Sequence, residues 1–523
     1  MHDVVVIGGG FGGLAAAAQA RLAGLDVVLM EAHTKLGGCA GYFERGDLTF
    51  DAGATALMGL GRGEPIGDLI HSLGLEFDAV ATPAYRVCMP DRTLEIVPDR
   101  STFEKRIAHC FPGREFSKRI FWRIQDYVGS RLFATANQGP RFPLRRPSDL
   151  LHNLRILGLA GLPAASTWVS TVDDVLRILG LASDRPFRTL IAMLLQDTAQ
   201  AGPERVPFAV AATCLHAYRA GMSRPRGGMK ALAEGIGSRF ESLGGRLLKA
   251  TLVDRVERVG DSFLVHTRRG GRFAARRVVF NLPIDLAAKL LDTPLEGRLA
   301  RRERSTRAAW SAFTAYASVD ARSIDPAGPL FHQVLVDYDQ PIHDGNNVLV
   351  SLSPPGDAGY GPADVRVITM STHVRPEEWS DLDPTLHATK KQDYGDRLLL
   401  ALERALPDAR KAIRHVEFAT PRSFRRYTRR TLGAVGGPPV GRGNSVFLAA
   451  GSDALGPGTR LVGDSVFPGQ GTMAVVLSGR RAVELIREEL ERIVDDPIGD
   501  GSDPHASSND QVNIVSEIAS ERA

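Results

Sequence analysis

Val4-Val5-Val6-Ile7-Gly8-Gly9-Gly10-Phe11-Gly12-Gly13 stands almost at the start of the chain, and it decides the first half of the fold. Four consecutive apolar, mostly β-branched residues predict a strand buried on both faces. The glycines that follow have separate uses: Gly8 permits a tight turn, Gly10 lets backbone approach a pyrophosphate, and Gly13 lets the next helix lie against the strand. That helix is predicted over residues 14–22, built on Ala15, Ala16, Ala17, Ala18 and Ala20, with its N-terminal amides and dipole facing the anion. After Gly24 a second apolar strand, residues 27–30, ends on Glu31, an acid about twenty residues beyond the loop where ribose hydroxyls belong. Strand, loop, helix, strand and acid in this order predict an α/β unit of Rossmann type holding a dinucleotide. The loop alone does not choose between a nicotinamide and a flavin.

At 523 residues and 43% hydrophobic composition the chain can bury a large core and is expected to form two domains. A net charge of +4 without a long basic block gives no reason to expect nucleic acid, and leaves an anionic membrane surface open. The basic clusters Arg425, Arg426, Arg429, Arg430 and Arg301, Arg302, Arg304 read as solvated faces. Cys39, Cys88, Cys110 and Cys214 are widely separated, form no CxxC pair, and point to a reducing compartment. Cys39 could lie near a cofactor, but the redox pair of thiol oxidoreductases is absent. The first strand begins so early that a leader peptide is not expected, and no apolar run of about twenty residues is present to span a bilayer. A cytoplasmic protein is expected, with a peripheral membrane position as an addition to that reading.

A second glycine pair, Gly37 and Gly38, is followed by Gly41-Tyr42-Phe43-Glu44-Arg45 and Phe50-Asp51-Ala52-Gly53, which a plain nicotinamide domain would not need. From about residue 75 to 221 the pattern turns helical, for example over 172–181 and 186–195. Pro225-Arg226-Gly227-Gly228-Met229 then opens an amphipathic helix ended by Gly244 and Gly245. Strands are predicted over 246–249, 253–259, 262–267, 277–281, 347–352 and 365–371, and a helix over 394–405. Near the C-terminus come a strand over 446–450, then Gly463-Asp464-Ser465-Val466-Phe467-Pro468-Gly469-Gln470-Gly471, and a helix over 472–493.

These segments, in this order, resemble the FAD-dependent carotenoid desaturase and isomerase family, which includes phytoene desaturases, prolycopene isomerases and, more distantly, retinol saturases. The pieces Gly37 to Arg45 and Gly463 to Gly471 look closest to the isomerase branch. The resemblance implies a glutathione-reductase-like FAD domain assembled from residues 1–75, 225–285 and 441–494. A discontinuous mixed α+β substrate domain would take a mostly helical segment, 76–224, and a sheet with helices, 286–440. Residues 495–523, rich in Asp, Ser, Gly and Pro, read as a disordered tail. The resemblance further implies that Gly8, Gly10 and Gly13 serve the pyrophosphate and Glu31 the adenosine ribose, with Val253 clamping adenine by its strand backbone. Asp464, beside Gly463, would bond a ribityl hydroxyl, and the helix opened by Gly469, Gly471 and Met473 would aim its amides at the flavin edge that gains charge on reduction.

What the family implies chemically is an enzyme acting on an apolar polyene, by desaturation with hydride going to flavin N5 or by flavin-dependent cis/trans isomerisation. A retinol-saturase-like reductase, a lipid-polyene oxidoreductase and an amine oxidase are alternatives of the same class. A non-catalytic prenyl-lipid carrier, of the kind Rab GDP-dissociation inhibitors represent, is the alternative of another class. No motif marks a general base, so His216, Tyr218, Arg219, Glu417 and Arg422 stand only as candidates, and the catalytic residue stays open. No metal-ligand spacing or serine-hydrolase elbow is present. Residues 145–162, with Arg145 and Arg146 ahead of Leu150, Leu151, Leu154, Ile156, Leu157, Leu159 and Leu162, read either as a monotopic membrane helix or as a core helix. The oligomeric state is not legible.

Overall fold

The strand His2–Ile7 lies at the centre of a parallel sheet because both of its faces are apolar: Val4, Val5 and Val6 are wholly buried. The computed structural model describes residues 1–144, 146–307, 309–441 and 450–495. His2–Ile7 pairs in parallel with Val27–Met30 on one side and Arg272–Phe280 on the other. Arg246–Leu248 extends the sheet beyond the first neighbour and Thr459–Leu461 beyond the second, again in parallel. The hairpin of Val253–Val259 and Ser262–Thr267 joins antiparallel on the N-terminal part of Arg272–Phe280. A one-residue shift between Val253 and Arg255 marks the entry of that hairpin.

Helix Phe11–Leu22 makes the crossover between the first two parallel strands. Ala15, Ala16, Ala17 and Ala18 are all inaccessible, so the alanine run reflects crowding on several sides rather than helix propensity alone. One neighbour is the helix Thr472–Asp495, where Gly479 permits the approach: a Cβ there would sit 2.6 Å from the Gly12 carbonyl oxygen. The chain divides into Met1–Val483 and a C-terminal unit from Glu484; within that unit the described residues are helical as far as Asp495.

A second, seven-stranded sheet runs in the order Ile413–Ala419, Ser311–Asp320, Val365–Val374, Asn347–Leu352, Phe331–Leu335, Tyr85–Met89, Arg92–Ile96. Every pairing is antiparallel except Phe331–Leu335 with Tyr85–Met89. Its two faces follow the period of two. On Ser311–Asp320, Phe313, Ala315 and Ala317 enter the main core, where Phe313 meets Trp379 and Tyr394 at ring separations of 5.6 and 5.5 Å. Ala312, Thr314 and Tyr316 face a cavity instead. Among the described residues, 76–225 supply seven α-helices as well as the strands Ala79–Ala81, Tyr85–Met89, Arg92–Ile96 and Ser223–Pro225.

The helix expected over 145–162 is shorter than predicted. Pro147–Leu157 is helical, Gly158 breaks it with φ +64°, and Leu159–Gly161 and Leu162–Ser166 are a separate 3-10 turn and a separate short α-helix. Arg145, most of the strand expected over 446–450, and the tail 496–523 lie outside the described residues. Among the described residues no helix is long and apolar enough to cross a membrane. The four cysteines are free.

Candidate active site

The glycine loop after Ile7 is held open by close contacts that only glycine tolerates. Gly8 takes φ +103°, and a Cβ on Gly13 would lie 2.0 Å from the Gly8 carbonyl oxygen, so Gly13 brings the helix onto the strand. A Cβ on Gly10 would lie 2.7 Å from Asn281 Nδ2. Asn281 ends the neighbouring strand, and its Nδ2 donates to the Gly8 carbonyl at 3.2 Å. The Gly37 N–H donates to the Gly9 carbonyl at 2.9 Å, and Gly38 packs so closely that its Cβ would be 3.2 Å from Gly10 Cα. The two glycine-rich segments therefore form one surface. Helix Phe11–Leu22 starts at Gly10 with no side-chain cap, leaving its first amides free for an anion.

Glu31 leaves the second strand beside this loop. Its Oε2 accepts from the Gly9 N–H at 2.6 Å and its Oε1 from the His33 N–H at 2.7 Å. Burial pushes its carboxyl above the usual range, and those two N–H groups hold part of the rise back. Val253, at the start of its strand, is nearly inaccessible and lines the same cavity. So do Gly463, Asp464, Gly471 and Met473. Asp464 Oδ2 lies 2.7 Å from Arg430 Nη1, and the Gly463 N–H donates to Ser478 Oγ at 2.9 Å. Helix Thr472–Asp495 begins immediately after Gly471 and presents its first turn to the cavity.

Gly8, Gly10, Glu31, Gly37, Gly38, Val253, Gly463, Asp464, Gly471 and Met473 thus line a single cavity of about 1530 Å³. Gly13 is not at its wall and acts through packing. This volume exceeds the roughly 300–1,000 Å³ usual for one small-molecule ligand, so the space suits a dinucleotide and a second molecule together. A glycine cradle and two helix N-termini opening on one cavity fit the phosphates and the electron-rich ring edge of FAD. The same cavity is also lined by the apolar side chains of Phe467, Phe142, Phe133, Leu132, Leu150 and Leu154.

Sequence reasoning missed several of these residues. Asn281 carried one signal: it ends a central strand, and ligands of parallel sheets gather at strand carboxyl ends. The reading of the two basic clusters as solvated faces holds for Arg425, Arg426, Arg429, Arg301 and Arg304, which are exposed, and is corrected at Arg430 and Arg302. Arg430 is ion-paired with Asp464, and Arg302 is buried with its Nε donating to the Ser465 carbonyl at 3.1 Å. Of the candidate bases, Glu417 lines the cavity and is paired with Arg45 at 3.2 Å. His216 packs against Phe133, Arg219 is ion-paired with Asp126, and Arg422 donates to the Leu382 carbonyl; none of these three lines it. Tyr218 reaches the wall through Asp197, whose Oδ2 accepts from its hydroxyl at 2.7 Å.

The prolycopene isomerase of Arabidopsis thaliana chloroplasts is 25% identical, over 95% of this chain and 85% of its own. The lycopene-forming phytoene desaturase of Pantoea ananas is 26% identical, over 94% and 100%. A solved structure, cyclohexylamine oxidase from Brevibacterium oxydans, superposes with a TM-score of 0.63 at 17% identity, over 94% of this chain and 100% of its own, and so shares the fold. A family described as flavin containing amine oxidoreductase matches residues 11–487. The chain belongs to that family, and is an FAD-dependent oxidoreductase related to carotenoid desaturases and isomerases.

Proposed function

We propose that this protein acts on a carotenoid or related isoprenoid polyene, by desaturation or by flavin-dependent cis/trans isomerisation. The observation that carries the reading is the continuity of one cavity from the glycine cradle and Asp464 to a wall of Phe133, Phe142, Leu150 and Leu154. A long apolar molecule fits such a wall, since each buried CH₂ contributes about 0.8 kcal/mol. FAD, when bound, supplies a two-electron acceptor or donor to that molecule. In this reading Gly8 and Gly10 serve the pyrophosphate, Gly13 holds the first helix close, and Glu31 accepts from the adenosine ribose. Val253 offers strand backbone to adenine, Gly37 and Gly38 let backbone approach the bound dinucleotide, and Asp464 beside Gly463 accepts from a ribityl hydroxyl. Gly471 and Met473 open the helix that faces the flavin edge.

A membrane surface is the natural source of such a substrate, and Leu144 together with residues 146–162 supports docking there. Leu151 and Leu159 are 67% and 87% exposed, and Leu144, Leu150 and Leu154, also exposed, line the cavity as well. Exposed Arg146 and Arg155 flank them. An apolar stripe with a basic edge, at the entrance to the substrate space, suits a peripheral position on anionic lipid.

FAD-loaded protein incubated separately with phytoene, poly-cis lycopene and retinol, with the flavin oxidised and then reduced, tests the reading. Loss of two hydrogens marks a desaturase, an unchanged mass with a shifted spectrum marks an isomerase, and a gain of two marks a retinol-saturase-like reductase. No change in any polyene, or a purified protein that takes up no FAD, overturns the proposal and favours a prenyl-lipid carrier.

A further inference from the structure

We propose that Asp197 is the proton acceptor in desaturation, placed at the cavity wall by Tyr218; this rests on the polyene reading in its desaturating branch. Asp197 lies in the last turn of helix Arg185–Thr198 and keeps accessible surface where it lines the cavity. Its neighbour Thr198 accepts, through its carbonyl oxygen, from the side chain of Gln470 in the loop that opens helix Thr472–Asp495. The helix end that carries Asp197 is thereby tied to the segment proposed to face the flavin.

The surroundings suit a base. Asp197 Oδ2 accepts from the Tyr218 hydroxyl at 2.7 Å, which fixes the side chain. The titratable groups that face it are Tyr218 and Cys214 from helix Phe208–Ala220 and Tyr85 from strand Tyr85–Met89, and all three are neutral near pH 7. Among the described residues no arginine or lysine pairs with it. Burial therefore raises its carboxyl above the ordinary value, with Tyr218 offsetting part of the rise. A carboxylate with a raised affinity for protons, on the wall of the cavity proposed to hold FAD, is what general-base catalysis asks for.

The step balances. One C–H of the polyene gives its proton to the Asp197 carboxylate, which becomes a carboxylic acid, and the electron pair of that bond becomes the new π bond. From the adjacent carbon a hydride leaves to oxidised FAD, the two-electron acceptor of this family. Tyr218 is a positioning residue: it holds the carboxylate and tunes it.

Stopped-flow reduction of the FAD-loaded protein by phytoene, without oxygen, tests the assignment against Asp197→Asn and Tyr218→Phe. Asp197→Asn is expected to slow flavin reduction at least about 100-fold, while FAD content, melting temperature and phytoene-induced spectral shift stay at wild-type values. Tyr218→Phe is expected to move the acid limb of the rate profile to higher pH, because it removes a hydrogen bond that favours the charged form. Infrared difference spectra of the holoprotein without polyene supply an independent readout: an acid carboxyl band that titrates above the usual aspartate range and is missing in Asp197→Asn. Asp197→Asn reducing its flavin within a few-fold of wild type, or an unshifted limb in Tyr218→Phe, overturns this assignment alone. Wild-type flavin that no polyene reduces overturns the desaturation reading and this role with it, even if the infrared band is present.

Discussion

Arg224 Nη2 lies 3.0 Å from Asp51 Oδ2, with both side chains wholly excluded from solvent. The Tyr360 hydroxyl donates to Asp51 Oδ2 at 2.8 Å, Arg224 Nε donates to Tyr360 at 3.0 Å, and the Met229 N–H donates to Asp51 Oδ1 at 2.8 Å. Arg224 Nη1 also donates to Ser351 Oγ, on strand Asn347–Leu352 of the second sheet. One network thus joins the strand Leu48–Asp51, the start of helix Gly228–Ser242 and the second sheet. Arg224→Met leaves a buried carboxylate without its cation and is expected to cost about 3–5 kcal/mol. Combining it with Asp51→Leu should recover only part of that, because Tyr360 and the Met229 N–H then lose their acceptor. Denaturant midpoints of the wild type and the two variants check both statements; full recovery in the double variant would mean that the polar network contributes nothing beyond the ion pair.

Much of the fold could be read locally and much of the site could not. Val27–Met30, Val253–Val259, Ser262–Thr267 and Asn347–Leu352 fall where periodicity puts them, because each is bounded by turn residues and carries its own buried pattern. The glycine segments were equally legible, since a backbone conformation or close approach is written in consecutive residues. Asn281 was not: it meets Gly8 across 273 positions, and only the parallel pairing of two strands brings them together. Arg430 looked like surface because its neighbours in sequence are basic, yet its charge is spent on Asp464. Asp197 and Arg224 belong to no motif, and the partners that set their surroundings, Tyr218 for one and Asp51 for the other, come from distant positions of the chain.

Gly10 and Gly13 should fail differently. Gly10→Val sets a side chain against Asn281 and into the space proposed for phosphate, so FAD should be lost, while the apoprotein loses less stability than with Gly13→Ala because the Asn281 side chain that must shift is not backbone. Gly13→Ala, with its Cβ 2.0 Å from the Gly8 carbonyl, must move the helix from the strand and should lower both flavin content and melting temperature. Gly235→Ala is the contrast: its Cβ meets nothing nearer than Leu75 at 3.9 Å, and replacing a mid-helix glycine should add roughly 0.5–1 kcal/mol. Flavin absorbance after gel filtration, together with thermal melts, separates the three.

His332 should make the protein acid-sensitive before its carboxylates do. Its Nε2 is bonded to the Pro329 carbonyl at 3.0 Å, and burial pulls the imidazole from 6.5 down to about 4. Between those values the unfolded chain binds a proton that the folded chain does not. Stability is therefore complete above about 6.5 and falls with pH until about 4, by roughly 3 kcal/mol at most from this group. His373, likewise pushed to about 4 by burial, acts in the same window. His332→Gln should flatten, without abolishing, the fall of melting temperature across it; an unchanged slope would show that His332 titrates normally.

The exposed leucines give the membrane reading a quantitative form. Burying a leucine contributes about 1.5–3 kcal/mol when complete, so Leu151→Asp with Leu159→Asp should weaken partitioning onto phosphatidylserine-containing vesicles at least about 10-fold. Salt should weaken wild-type binding too, through Arg146 and Arg155. Flotation with and without salt measures both, with FAD content as the check that the fold is intact. Equal flotation of wild type and variant would remove this segment as the docking surface.

Asp464 is the sharpest test of how the chain holds its flavin, because in the structure its carboxylate already has a partner. Oδ2 is engaged by Arg430 at 2.7 Å, and the proposed bond to a ribityl hydroxyl uses the acceptor capacity left over, since a carboxylate offers about four lone-pair sites. Asp464→Asn keeps an acceptor oxygen but loses the charge facing Arg430, whereas Asp464→Ala removes both and leaves the Arg430 guanidinium, 15% exposed, unpaired in the wall. Leaving a buried charged group unsatisfied costs at least about 1–3 kcal/mol. Asp464→Ala should therefore lose FAD at least about 10-fold more readily than wild type, with Asp464→Asn in between. The variant Arg430→Met with Asp464→Ala separates the two contributions. If FAD affinity returns to wild type in the double variant, the loss came from the stranded guanidinium; if it stays low, Asp464 holds the flavin chain directly. Fluorescence titration of the apoproteins with FAD distinguishes these outcomes, and wild-type affinity in Asp464→Ala itself would refute the assignment of this carboxylate to the flavin.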